Sequence, residues 1–235
     1  MNATEILQQL HELGEAGYKR ILLNHGAREP VLGVKIAELK KFQKQLKKNH
    51  ALSQELFASG IYDAQYLAGL IADETKISEA ELHRWLASAN CPAISGSVVA
   101  WVAAESKHAH RLAAAWIDSP DEQSAHAGWL TLGGWISLQP DAALDLAELK
   151  QWLQRVERTI HQERNQVRYA MNQFVINLGT YVSEMTAAAI AAAKRIGPVS
   201  VDMGPTACVV PSAVDCIAKV RTRGTIGKKK KSVRC

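Results

Sequence analysis

Cysteine is sparse in this chain, and its placement excludes the chemistry that cysteine usually brings. Cys91, Cys208, Cys216 and Cys235 are the four, with no C-x-x-C pair among them. Neither a zinc site nor a disulfide framework is expected, and the thiols read as free thiols of a reducing cytoplasm. No apolar run reaches the ~18 residues that a membrane-spanning helix requires. The opening stretch MNATEILQQLHELGEAG lacks the apolar core of a secretory signal and reads as an amphipathic helix. Acidic residues are missing from Lys219 onward, where eight Lys or Arg stand without an Asp or Glu.

That last absence sets the charge layout. The chain holds 28 Lys and Arg against 23 Asp and Glu, and without the stretch from Lys219 it holds 20 against 23. A cationic arm on a slightly acidic body is the asymmetry of a protein that meets nucleic acid or another anionic surface. A solvated tail is the alternative. Two features favour a structured arm: it follows a short helix signalled by Pro211 and Ser212, and Gly224 and Gly227 punctuate it. With 235 residues, 47% hydrophobic and 22% charged, the composition is ordinary for a globular protein of one large domain or two small ones.

Apolar residues recur at helical spacing along the chain. Residues 4–24 read as a helix or helix pair, and GAREPVLG, residues 26–33, reads as a loop. From Val34 to Lys48 an amphipathic helix sets Ile36, Leu39, Phe42 and Leu46 on one face, with Lys35, Lys40, Lys41, Lys44, Lys47 and Lys48 over much of the rest. Short helices follow over residues 52–58 and 62–72. Ser78 and Glu81 form a capping box, each side chain satisfying the other's backbone N–H. Residues 93–105 are small and apolar and read as a buried helix, with another at 106–117. Ser119-Pro120 signals the next start, and Gly133-Gly134 a bend or an end. Pro140-Asp141 begins a helix over 142–160. Helices over 163–181 and 185–196 complete the series, the last stopped by Gly197-Pro198.

Ten or more helices without a convincing strand pair make an all-α protein. The start signals recur about every 20 residues, so a helix pair repeats at roughly 40, the period of HEAT-like repeats. The expected fold is a right-handed superhelical solenoid of HEAT-like, ARM-like helical repeats, whose inner helices line a concave surface. Residues 1–197 form the repeat domain, 198–223 a C-terminal segment whose short helix packs on it, and 224–235 the basic tail.

Three stretches carry a resemblance. The first joins Gly33-Val34 and the lysine-rich helix to Tyr62-Asp63-Ala64-Gln65-Tyr66-Leu67-Ala68. The second is Val167-Arg168-Tyr169-Ala170-Met171-Asn172-Gln173-Phe174-Val175-Ile176. The third runs from Val201-Asp202-Met203-Gly204 through Lys228-Lys229-Lys230-Lys231 to Cys235. Together they resemble the AlkD-like DNA alkylation repair family, in a branch with a basic C-terminus. The resemblance implies a HEAT-like solenoid that cradles the DNA backbone in a basic concave groove. It also implies a glycosylase that excises N3- and N7-alkylated purines. Against that stands the side-chain inventory. Glycosylase members carry Trp-Asp-x-x-Asp where this chain has Gly96-Ser97-Val98-Val99-Ala100, and no acid stands between Pro92 and Ala104. An Arg is expected where Ala125-His126-Ala127 stands, and a groove Trp where Gln173 falls.

These vacancies matter because cleaving the bond from a cationic purine to its sugar develops positive charge, which a positioned carboxylate stabilises. Glu105 and Asp118 are the nearest acids, both near helix ends and read as capping or solvated groups. Trp101, Trp129 and Trp135 read as core, or as aromatic faces for a cationic base. No catalytic residue is therefore assigned. The expected function is binding of damaged or irregular DNA by a monomer without metal, cofactor or membrane. Backbone contacts come from Lys35, Lys40, Lys44 and Lys47, from Arg164 and Arg168, and from Arg221, Arg223, Lys228, Lys229, Lys230 and Lys231. An active alkylpurine glycosylase and a protein-interaction scaffold are the alternatives.

Overall fold

A computed structural model describes residues 1–234, which form thirteen α-helices and no strand. The all-α class read from the helical periodicity is what is observed. These residues form two compact units. One comprises Met1–His108 with Met203–Ala207 and Arg234, the other Ala109–Asp202 with Cys208–Val233.

The first unit opens with α1 (Ala3–Glu12), capped by a reciprocal Asn2–Glu5 box, and α2 (Ala16–Asn24). Then come α3 (Ile36–Leu46), α4 (His50–Ala58), α5 (Tyr62–Ile71) and α6 (Glu79–Ser88). The Ser78–Glu81 capping box starts α6 as expected. Helix α5 is buried from Asp63 to Ile71, so its polar residues serve its neighbours. Gln65 donates to the carbonyls of Phe57 and Ser88 at 3.2 and 2.8 Å and accepts the Asn90 N–H at 2.8 Å. The Asp63 carboxylate accepts the N–H groups of Leu32 and Val34, each at 2.7 Å. Between them Gly33 has φ 85°, and a Cβ there would stand 2.5 Å from the Glu15 carbonyl oxygen. Only glycine meets both demands. This is the physical content of the Gly33-Val34 and Tyr62-Asp63 pairing noted in the sequence.

A π-helical turn, Ile94–Val99, leads into α7 (Ala100–Glu105). Its residues are small because α5 lies close: a Cβ on Gly69 would fall 2.3 Å from Val98 Cγ1. Ser97, Trp101 and Glu105 are the partly exposed positions, four apart and therefore on one face.

The second unit contains α8 (Ala109–Ile117), α9 (Glu122–Leu138), α10 (Leu146–Thr159), α11 (Asn165–Tyr181), α12 (Thr186–Ile196) and α13 (Ala213–Thr222). Trp129, 1% exposed, sits at its centre, with ring centroids of Phe174 and Trp152 at 5.3 and 5.6 Å. Glycines let the helices close up. A Cβ on Gly128 would stand 2.6 Å from the Ile117 nitrogen, and one on Gly179 would stand 2.4 Å from Ile217 Cδ1. Ile217 is wholly buried and seats α13 on α11, a burial that contributes about 2–3 kcal/mol.

Several element starts differ from the sequence reading. Asp121, not Ser119, caps α9: its carboxylate accepts the Ser124 N–H at 2.8 Å. Helix α9 also runs through Gly133-Gly134, because Gly133 is needed for packing: a Cβ there would stand 2.8 Å from Asn177 Nδ2. Asp141 opens only a single 3₁₀ turn, and Asp145 caps α10 by accepting the N–H groups of Ala147 and Glu148. Ser212 caps α13, which places Pro211 before the helix instead of in its first turn. In each case a short oxygen-bearing side chain able to fold back on the third residue ahead wins the position. Cys91 is buried, Cys208 exposed and Cys216 half-buried, all free thiols; Cys235 lies outside the described residues.

Candidate nucleic-acid interface

In the first unit the basic surface is helix α3. Leu39 and Phe42 turn inward, which leaves lysines over the outer face. Some of these are engaged locally. Lys35 pairs with Glu15 and Lys41 with Glu38, each at 2.8 Å, and Lys48 pairs with Glu74. Lys40, Lys44 and Lys47 are exposed and stand outside these pairs. Lys40 and Lys44, four apart within α3, share one helix face, while Lys47 caps the helix with φ 54° and leaves that face; all three are exposed cations available to phosphates.

In the second unit the basic arm is docked, not loose. Helix α13 ends at Thr222, with Arg221 and Arg223 exposed, and Gly224 turns the chain with φ 66°. The Gly227 N–H donates to the Thr180 carbonyl at 2.9 Å, and the Lys230 N–H donates to the Ser137 carbonyl at 2.9 Å. Lys229 Nζ lies 2.7 Å from Asp141 and donates to the Ile136 carbonyl at 3.1 Å. Ile136, Ser137 and Thr180 belong to the last turns of α9 and α11, whose carbonyls lack partners within the helix and carry the negative end of the helix dipole. A cationic strap is therefore a natural cap for them. Lys230 Nζ stands 5.2 Å from the centre of the Tyr181 ring, a cation–π contact. Lys228, Lys230 and Lys231 remain exposed, while Lys229 is drawn into the fold.

Arg164 and Arg168 do not share a helix face, because α11 begins at Asn165. Arg164 turns back and donates to the carbonyls of Ser119 and Pro120. Arg168 donates to Asn165 Oδ1 at 3.2 Å and stays half-buried. Asn165 also exchanges two hydrogen bonds with the backbone of Asp202, at 2.8 and 2.7 Å, which anchors the Val201–Gly204 stretch whose role the sequence leaves open.

The vacant positions can now be placed. Ala125, His126 and Ala127 are all buried, and His126 is held neutral because burial lowers its pKa to about 4. Gln173 is half-buried and donates to Asn177 Oδ1 at 3.2 Å. With Tyr169 and Tyr181 these two make a half-exposed stripe at four-residue spacing on α11. The spacing is legible in the sequence, but nothing there marks the stripe as exposed. Trp101 lies half-exposed with its ring edge-on to Tyr66 at 5.7 Å. Glu105 follows it by one turn, but its carboxylate lies 2.8 Å from Nε of Arg234, and Asp118 is exposed and pairs with Arg155 at 2.6 Å. Glu105 is thus neither a cap nor solvated. Arg234 is the residue that sequence reasoning misses: one more cation in a basic tail gives no sign that its side chain is 6% exposed.

Comparison with known proteins agrees with this anatomy. The DNA alkylation repair enzyme family matches residues 6–204, so α13 and the strap lie beyond the matched region. An uncharacterized protein of Listeria innocua is 32% identical over 220 residues, spanning 92% of this chain and 95% of its own, and one of Listeria monocytogenes matches to the same extent. A solved structure, from a new family of proteins related to the HEAT-like repeat DNA glycosylases with affinity for branched DNA structures, is 34% identical and covers 100% of both chains at TM-score 0.91. All-helical architecture, HEAT-like likeness over the full length and a family match through most of it lead to one assignment: the chain belongs to the DNA alkylation repair enzyme family.

Proposed function

We propose that this protein recognises irregular or branched DNA through its phosphates and does not excise bases. The observation that carries this reading is that Lys40, Lys44 and Lys47 are exposed and outside the local ion pairs. The exposed Arg221, Arg223, Lys228, Lys230 and Lys231 add a second cationic surface. Such surfaces neutralise phosphates without reading bases, so affinity falls steeply with salt and sequence matters little. The likeness to a protein with affinity for branched DNA supports a structural target over a sequence. The protein acts in this reading as a cytoplasmic monomer without a cofactor.

An active alkylpurine glycosylase is the second reading, favoured by one feature: Trp101 and Glu105 stand one turn apart on a half-exposed face. The Arg234 ion pair on Glu105 opposes it, since a carboxylate committed to a guanidinium is poorly placed to stabilise a developing cation.

Two measurements on one preparation separate the readings. Binding to a four-way junction and to a linear duplex of the same sequence is followed across a salt series, and release of N7-methylguanine is followed from an alkylated duplex. Tighter, salt-sensitive binding to the junction with base release at the spontaneous rate supports the proposal. Release above that rate transfers the assignment to the enzyme. Equal, weak binding to both DNAs without release removes DNA recognition altogether.

A further inference from the structure

Arg234 follows the lysines of the basic arm, and its side chain is only 6% exposed. Its Nη1 donates to the carbonyls of Gly69 and Ala72 at 3.2 and 2.6 Å, its Nη2 pairs with Glu74 at 2.8 Å, and its Nε lies 2.8 Å from Glu105. All of these groups belong to the first unit. Both Nη groups donate hydrogen bonds in fixed directions and Nε is ion-paired with Glu105, an arrangement that suits a planar guanidinium better than a point charge.

The partners are held independently of the arginine. Gly69 and Ala72 lie at the end of α5, where carbonyls are left without helical partners and the dipole is negative. Glu105 is the last residue of α7, fixed by that helix. Glu74 is also bound by Lys48, and its carboxyl titrates below the ordinary value: burial raises it, but hydrogen bonds from Lys48 and from its own N–H, with the charge of Arg234, outweigh that. We propose that Glu74, Glu105 and the terminal carbonyls of α5 form a receptor for a planar guanidinium, and that Arg234 is the ligand the chain itself supplies. Arg234 is then a latch, and a free guanidinium can fill the receptor only once the Arg234 side chain has been removed.

The test uses the full chain carrying Arg234→Ala and asks for chemical rescue. The variant is expected to melt about 5 °C below wild type, as loss of one partner from a partly buried charge cluster requires. Methylguanidinium at millimolar concentration is expected to titrate to a single site on the variant and restore most of the lost melting temperature. Methylammonium at the same concentration is expected to do neither, and wild type, whose receptor is filled, is expected to give no titration. Adding Glu74→Gln and Glu105→Gln to Arg234→Ala is expected to abolish the titration. Equal rescue by both cations would reduce the effect to ionic screening and overturn the proposal, as would titration of wild type or titration that survives loss of both carboxylates. Should Arg234→Ala not fold, Arg234→Lys replaces it. That variant keeps the charge without the fork, and a melting temperature equal to that of wild type overturns the proposal, because a positive charge alone would then satisfy the receptor.

Discussion

The carboxylate of Asp63 meets the backbone N–H of Val34 at 2.7 Å, with Asp63 wholly enclosed by protein. The same carboxylate holds Leu32 at 2.7 Å, so one side chain on α5 fixes the loop ahead of the lysine-bearing helix α3. Asp63→Asn keeps the size but replaces an oxygen that accepts N–H groups with an NH₂ that opposes them. The loss is expected to be about 2–4 kcal/mol, read as a lowered midpoint in urea unfolding. Unchanged stability would show that the loop is organised without Asp63.

His126 gives the fold an acid sensitivity. Burial depresses its pKa from 6.5 to about 4. Because the depressed group is a base, the unfolded chain holds more protons between these values. The contribution of a neutral His126 is complete above about pH 6.5 and is lost as pH falls toward 4, by roughly 3 kcal/mol in total. Urea unfolding at pH 7 and pH 5 measures it. Wild type is expected to lose about 2 kcal/mol more than His126→Gln over that interval.

The lysines of α3 and of its C-cap divide into two classes that a salt series distinguishes. Replacing Lys40, Lys44 and Lys47 by Gln is expected to weaken DNA binding and to flatten the slope of log affinity against log salt by about 0.9 for each phosphate that is no longer neutralised. Lys41→Gln removes a lysine already paired with Glu38 and is expected to move the slope far less. Equal effects from all four would mean that the helix acts only through its summed charge.

Within the strap, Lys229 and its neighbours are expected to fail in different assays. Lys229 is anchored to Asp141 and to the end of α9, so Lys229→Gln lowers stability by about 1–2 kcal/mol. Lys228→Gln and Lys231→Gln alter exposed residues and leave stability within about 0.5 kcal/mol while lowering DNA affinity. Melting curves and a junction-binding isotherm on the three variants decide the matter. A destabilised Lys231→Gln would place that residue in the fold instead of at the DNA.

What the sequence discloses follows from the range of the interactions involved. The Ser78–Glu81 box, the stop at Gly197 and the inward faces of α3 and α10 are set by residues within one or two turns, and they are legible. Gly133 reads as a break because its reason for being glycine, Asn177 on α11, lies far along the chain. The basic arm reads as a line of equivalent cations for the same reason. Lys229 differs from Lys228 only because Asp141 and the carbonyl of Ile136 stand beside it, and Arg234 differs from both because Glu74 and Glu105 enclose it. Local pattern identifies the helices. Which cations face solvent is decided by partners that no local pattern contains.

Lys48, Glu74, Arg234 and Glu105 form an unbroken file of alternating charge. Heat acts on such a file differently from the way it acts on an apolar core. Water solvates ions less favourably as temperature rises, so the cost of keeping these four groups partly dehydrated shrinks while the gain from apolar contacts levels off. The ion-pair file is therefore the part of this fold whose net contribution weakens least on warming.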